Sequence, residues 1–131
     1  MSEPIDEARF PVIDLPPEAN TPEAAVQCLI AELVRVGKLP GELAAEVTHQ
    51  VWHREKLGST ATGRGVAIPH ARNVAIAGPV GVVGRCTRPL DWPNVLDGGS
   101  VWVVCLIVAS SEGPGDWLRH LERLVRTLRN W

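Results

Sequence analysis

The feature that most constrains the fold of this 131-residue chain is an apolar run from Val101 to Val108. The run is rich in β-branched residues, lacks any alternation of apolar and polar positions, and follows a turn-forming segment over 91–100. This pattern is typical of a strand that is buried on both faces and therefore needs covering layers on each side. The run is also much too short to cross a bilayer.

Helical and extended patterns surround this strand. A first helix is predicted after Thr21, which can cap it, with Pro22 in the first turn and Gly37 at its end. A second helix is predicted over about 41–56. The remaining elements are a short edge strand over 10–15, strands over 66–68 and over 80–83 or 80–87, and a last helix over 116–130. The sequence therefore predicts an α/β (α+β) fold, a small mixed sheet flanked by helices.

Length and composition indicate one domain, which we expect over residues 9–131 after a flexible leader over residues 1–8. The net charge of −2 argues against nucleic-acid binding. The polar, acidic N-terminus is not a signal peptide, so we expect a soluble, cytoplasmic protein without direct membrane insertion. The three cysteines show no CxxC spacing, and we predict that Cys28, Cys86 and Cys105 are small buried hydrophobic residues.

The segment that indicates chemistry runs from Arg54 to Arg72, with the sequence REKLGSTATGRGVAIPHAR. Its glycine-rich part, over 58–65, offers hydroxyl and backbone N–H donors that suit an anion, and phosphate is the commonest one. The spacing and the lysine of a P-loop are absent. A short strand then leads to Pro69 and His70. An imidazole held beside anion donors can act as a nucleophile or a general base.

This segment resembles the signature of the IIA domains of the bacterial sugar phosphotransferase system, in the fructose–mannitol and nitrogen-regulatory class. That signature is RExxxSTGxGxGxAIPH, and the positions that match it in register are Arg54, Glu55, Ser59, Thr60, Gly63, Gly65, Ala67, Ile68, Pro69 and His70. The segment around Asp97 and the final helix near Trp117 are similar to further parts of the family pattern. The resemblance therefore extends over roughly residues 9–130.

The resemblance implies a role for individual residues. His70 would accept the phosphoryl group, and Arg54 would pair with it, a role that suits the forked donors of a guanidinium. A second histidine near the acceptor corresponds to His120, on the border of the apolar face of the last helix. The phosphate-binding loop residues would be Ser59, Thr60, Gly63 and Gly65.

The resemblance also implies partners. The donor would be the histidine phosphocarrier protein, and the acceptor would be a IIB domain or a regulated protein. No metal or organic cofactor is expected, because the phosphoryl group arrives activated. A regulatory module without a sugar transport role remains an alternative, as does a degenerate domain that accepts no phosphate. The family usually has Gly-Ile at Ala61-Thr62 and often Asn at Arg64, and these departures favour a regulatory or partner-specific version.

Two other residue combinations suggest different chemistry. His49 and His53 have the i, i+4 spacing of metal ligands on a helix, but the sequence shows no third ligand. Ser59, His70 and Asp97 are the residue types of a hydrolase triad, but no GxSxG elbow surrounds the serine. We therefore predict neither a metal site nor a hydrolase.

Overall fold

The computed structural model describes residues 11–61, 65–77, 79–93, 95 and 98–110. Several predictions fall outside these residues. They are the leader over 1–8, the last helix over 116–130 with His120, and the loop residues Thr62, Gly63, Arg64 and Asp97.

Two helices and five strands form the described part of the chain. In chain order they are β1 (Val12–Asp14), α1 (Pro22–Arg35), a 3₁₀ turn (Gly41–Leu43), α2 (Ala44–Leu57), β2 (Val66–Ala67), β3 (His70–Ala71), β4 (Val80–Leu90) and β5 (Val101–Val108). The strands form one mixed sheet in the order β1–β4–β5–β2, with β3 also paired to β5. The predicted fold class is confirmed, and the apolar run Val101–Val108 is the interior strand β5.

The histidine-bearing edge of the sheet is one strand with an interruption. β2 and β3 both run parallel to β5, and their registers, Val66 with Val103 and His70 with Ile107, have the same offset. The carbonyl oxygen of Pro69 still accepts from the backbone N–H of Ile107 at 3.1 Å. The predicted strand over 66–68 is present as β2, and the sequence did not predict that a further strand, β3, follows Pro69 directly. Pro69 lacks only its own backbone N–H donor, and an edge strand tolerates this loss. Pairing with β5 can therefore resume at His70.

The hairpin strand β4 is longer than predicted. It runs antiparallel to β5 from Val80 to Leu90, and its register shifts between Arg85 and Leu90. The residues between these two alternate poorly in hydrophobicity and are largely exposed, whereas Leu90 itself is buried in the core. A bulge of this kind lets a strand continue without a continuous apolar pattern. The hydrophobic pattern of the sequence therefore predicted a strand that is shorter than β4.

The predictions of the first two helices are confirmed apart from one boundary. The Oγ1 of Thr21 accepts from the backbone N–H of Ala24 at 3.1 Å and caps α1, with Pro22 in its first turn. The second helix begins at Ala44, after the 3₁₀ turn, instead of near residue 41. In the described ranges, no helix has the length and apolar character needed to span a membrane.

Both faces of the sheet bury apolar side chains. The larger cluster joins the sheet to α1 and α2 and includes Leu29, Leu33 and Val51. A smaller cluster contains Val83, Cys105 and other side chains. β5 contributes to both clusters, which explains why its sequence shows no polar alternation.

The three cysteines are free thiols. Cys105 is fully buried, and burial raises its pKa to about 12, while burial raises the pKa of Cys86 to about 11. Both thiols therefore stay protonated at neutral pH and are poor nucleophiles. The prediction of a buried hydrophobic residue is confirmed for Cys105. Cys28 and Cys86 are only partly buried.

Candidate active site

His70 is held by β3 in a buried position, with 7% of its surface exposed. Its Nδ1 lies 2.8 Å from the carbonyl oxygen of Ile68. A carbonyl oxygen only accepts hydrogen bonds, so Nδ1 carries the proton in the neutral ring. The lone pair of the imidazole is therefore on Nε2, which is the nitrogen that can attack an electrophile.

The surroundings of His70 favour its neutral form. Burial is the main cause that lowers the pKa of His70 below its ordinary value of 6.5. The hydrogen bond to Ile68 and the carboxylate of Glu55 act in the opposite direction, while the positive charges of Arg54 and Arg72 lower the pKa further. At neutral pH the ring is uncharged and can act as a nucleophile.

A pocket of about 480 Å³ adjoins His70. The residues that line it are His49, Gln50, His53, Arg54, Leu57, His70 and Arg72. Most of them come from the last three turns of α2, and the other two come from β3 and the residue after it. These seven residues include two guanidinium groups and no carboxylate, so the lining is suited to an anion.

Of the predicted site residues, Arg54 is the one that the structure places in the pocket with His70. Its Nη1 donates to the carbonyl oxygen of Gly58 at 2.7 Å, which fixes the guanidinium at the C-terminal end of α2. A guanidinium has five N–H donors, so this one bond leaves the fork able to contact an oxyanion. Arg54 thus combines the position and the chemistry that the resemblance implies.

A buried carboxylate organises the loop after α2. Glu55 is 8% exposed, and its oxygens accept from the backbone N–H of Thr60 at 3.2 Å, from the Thr60 hydroxyl and from Nε1 of Trp92 at 3.3 Å. Both donors of Thr60 are thus directed at Glu55. In this arrangement Thr60 shapes the loop and does not line the pocket, and the phosphate-binding role predicted for it stays a prediction.

The other described loop residues also make local contacts. The Oγ of Ser59 accepts from the backbone N–H of Ala61 at 3.0 Å. Gly65 has a φ of +77°, and its carbonyl oxygen accepts from the backbone N–H groups of Trp102 and Val103. The positive φ favours glycine at this position, and a Cβ there would lie 3.2 Å from Cδ1 of Trp102, a tight contact that the indole would have to relieve by a small shift. Neither Ser59 nor Gly65 lines the pocket in this conformation.

The departure from the family pattern at Ala61 does not strain the backbone at that residue. Among the described residues other than glycine, Asn73 is the one with a positive φ, so Ala61 has an ordinary backbone conformation. Its side chain is fully buried in the main apolar cluster. The alanine therefore adds buried apolar surface at a position where the family usually has glycine.

Sequence reasoning missed five residues of the pocket, which include Gln50 and Leu57. His49, His53 and Arg72 line it, and the rings of the two histidines stack with centroids 6.4 Å apart. Within the described ranges, no three histidine, cysteine or carboxylate side chains are grouped so that they could hold a metal ion. Two features of the sequence could have identified pocket residues. His53 directly precedes Arg54, and Arg72 follows His70 by two residues.

The buried Glu55 gives a stability prediction. Glu55→Ala removes the acceptor of three buried donors and is expected to reduce the free energy of unfolding by about 3 kcal/mol. Urea denaturation followed by tryptophan fluorescence measures this change. Glu46→Ala, at an exposed position of the same helix, is the matched control and should change stability by less than about 0.5 kcal/mol. An equal effect of both substitutions would show that the network adds no stability.

An unprotonated Nε2 on a buried histidine, in a pocket that also holds guanidinium groups, is chemically suited to attack an anionic electrophile such as a phosphoryl group. Residues 12–130 match the family model described as "Phosphoenolpyruvate-dependent sugar phosphotransferase system, EIIA 2". The chain belongs to this family, whose members are phosphotransfer components.

Individual relatives agree with this assignment. The chain is 36% identical over 126 residues to a nitrogen regulatory protein of Bradyrhizobium diazoefficiens, covering 92% of this chain and 82% of that protein. It is 32% identical over 109 residues to the fructose-specific EIIABC component of Bacillus subtilis, covering 83% of this chain but only 16% of that longer protein.

Solved structures show the same fold. The nitrogen regulatory protein IIA-Ntr of Neisseria meningitidis superposes with a TM-score of 0.73 at 28% identity, covering 86% of this chain and 73% of that one. The mannitol IIA of Escherichia coli superposes with a TM-score of 0.61 at 20% identity, covering 92% and 85% of the two chains.

Proposed function

We propose that this protein is a phosphocarrier in which Nε2 of His70 accepts a phosphoryl group. The donor would be the histidine phosphocarrier protein of the phosphotransferase system, in the cytoplasm. The observation that carries the proposal is the hydrogen bond from Nδ1 of His70 to Ile68, which leaves Nε2 unprotonated in a pocket that also contains Arg54. Membership of the EIIA 2 family supports it.

The proposed transfer is an in-line displacement. The Nε2 lone pair of His70 attacks the phosphorus of the donor's phosphohistidine, a new N–P bond forms, and the donor's N–P bond breaks with its electron pair returning to the donor imidazole. No proton has to leave Nε2. The oxygens of the transferring phosphoryl group carry its negative charge. Arg54 therefore contributes by positioning the group and by electrostatic stabilisation.

The Nδ1 hydrogen bond assists this step. As the phosphoryl group attaches to Nε2, the His70 ring gains positive character, and its Nδ1–H becomes a better donor to the Ile68 carbonyl. An interaction that strengthens along the reaction favours the transition state over the ground state. The backbone around Pro69 thus fixes both the tautomer and the direction of the ring.

We propose that the protein has a regulatory role of the nitrogen-regulatory type and does not take part in sugar transport. The supporting observation is the similarity to a nitrogen regulatory protein over most of both chains, at the higher identity of the two relatives described above. In this role the phosphorylation state of His70 would control binding to a regulated protein. In the transport alternative, the thiolate of a IIB domain would attack the phosphorus and release His70.

The test of the proposed function uses the purified protein with phosphoenolpyruvate and the donor proteins. Intact mass should show the addition of one phosphoryl group. If the wild-type protein gains none, the degenerate alternative is correct and the proposal fails. A fructose-type IIB domain added afterwards should discharge the protein slowly or not at all, whereas rapid discharge would favour the transport role.

The lowered pKa of His70 predicts the pH dependence of the reaction. Neutral imidazole is the reactive form, and it predominates above the pKa, which lies below 6.5. The rate of phosphorylation should therefore still exceed half of its maximal value at pH 6.5, and fall to half only in more acidic buffer. Single-turnover rates with pre-phosphorylated donor measure this, and a decline that is already half complete at pH 7 would contradict it.

A further inference from the structure

Arg72 lies in the same pocket as the acceptor histidine, although it belongs to no part of the matched signature. It follows His70 by two residues, and side chains two positions apart on an extended chain project to the same side. The backbone N–H of Arg72 donates to Oε1 of Gln50 at 3.2 Å, which ties this segment to α2. The guanidinium is thus brought to the pocket by two elements, the strand and the helix.

The positive charge of Arg72 acts on the His70 ring and lowers its pKa. Together with Arg54, it opposes protonation of the ring, and the two arginines are the cations that act on His70 in this way. Arg54 approaches from α2 and already uses one donor on the carbonyl oxygen of Gly58. A transferred phosphoryl group carries nearly two negative charges at neutral pH, which one guanidinium does not balance.

We propose that Arg72 is a second phosphoryl-binding residue, which together with Arg54 holds the phosphoryl group on His70. This inference rests on the proposed function of His70. The two guanidinium groups would contact different non-bridging oxygens, because they come from different elements. Arg72 would stabilise both the transition state and the phosphorylated product, and it would also bind free inorganic phosphate in the unmodified protein.

The experiment compares Arg72→Gln, Arg72→Lys and the matched control Arg88→Gln. Arg88 is exposed on β4 and does not line the pocket. With saturating phosphorylated donor, Arg72→Gln should lower the single-turnover rate about ten- to hundredfold, the range expected for loss of one charge-assisted hydrogen bond. Arg72→Lys should recover part of the rate, and the control should stay within about twofold of wild type.

A second measurement separates phosphate binding from docking of the donor protein. Inorganic phosphate is titrated into the unphosphorylated protein, and binding is followed through the NMR signals of His70. Arg72→Gln should weaken phosphate binding about tenfold, and Arg88→Gln should not. An unchanged phosphate affinity, or a rate loss that saturating donor abolishes, would overturn the proposal because it would place Arg72 at the protein interface.

The same measurements distinguish this inference from the proposed function. If the wild-type protein gains no phosphoryl group, the proposed function fails, and the phosphate titration alone decides whether Arg72 binds the anion. If the wild-type protein is phosphorylated and Arg72→Gln is phosphorylated equally fast, the proposed function stands and the role of Arg72 is refuted.

Discussion

The His70→Ala variant is expected to gain no phosphoryl group under conditions in which the wild-type protein is fully phosphorylated. The substitution removes the only atom that we propose as the acceptor, so no residual rate is expected from the rest of the pocket. Intact mass after incubation with phosphoenolpyruvate and the donor proteins measures the outcome. Urea denaturation establishes that the variant is folded.

Two other imidazoles line the same pocket and make the assignment testable. His49→Ala and His53→Ala should each still gain one phosphoryl group, because neither carries the acceptor nitrogen in our proposal. If the phosphoryl group is still gained by His70→Ala and is not gained by His53→Ala, the acceptor is on α2 and not on β3. Phosphorylation of all three variants would show that His70 is not a unique acceptor.

The Arg54→Ala variant is expected to lose about two orders of magnitude in the rate of phosphoryl transfer to His70. This is the size typical for removing one donor that stabilises developing negative charge in a preorganised site. The variant also leaves the carbonyl oxygen of Gly58 without the guanidinium, but that bond is exposed and water can replace it. Single-turnover rates with phosphorylated donor measure the effect.

Arg54→Lys is the informative companion variant. Lysine keeps the positive charge but lacks the planar fork that can serve Gly58 and an oxyanion together, so its rate should lie between those of Arg54→Ala and wild type. The circular dichroism spectra of both variants should match the wild-type spectrum. Transfer at the wild-type rate in Arg54→Ala would remove this residue from the site.

The architecture was predictable to a large extent because its strongest signals are local. The apolar pattern of Val101–Val108 predicts an interior strand, and Thr21 with Pro22 predicts the start of a helix. The resumption of strand pairing at His70 was not predicted because the pairing of His70 with Ile107 is a tertiary contact. Nothing in the local sequence indicates that an edge strand resumes after a proline.

The sequence predicted which residues belong to the site, His70 and Arg54, but it did not predict the contacts around them. The signature identifies His70 and Arg54, and the structure places both at one pocket. It does not reveal that Glu55 takes both donors of Thr60, because that depends on the depth at which the carboxylate is buried. A buried carboxylate attracts every donor within reach, and such competition is invisible in a linear pattern.

The pocket residues of α2 illustrate the same difficulty. Helical periodicity places His49 and His53 on one face, but it does not say which face lies beside the strand that carries His70. Only the packing of α2 against β3 settles this question. For that reason the pair could be considered as a metal site from sequence, although the structure places it in the lining of an anion-suited pocket.

The most direct test of the central claim is the position of the phosphoryl group on the His70 ring. Heteronuclear NMR of the phosphorylated, nitrogen-15-labelled protein identifies which ring nitrogen is bonded to phosphorus and which retains a proton. We predict phosphorus on Nε2 and a proton on Nδ1, still donated to the carbonyl oxygen of Ile68. Phosphorus on Nδ1, or no phosphorus on His70, would contradict the proposed acceptor chemistry.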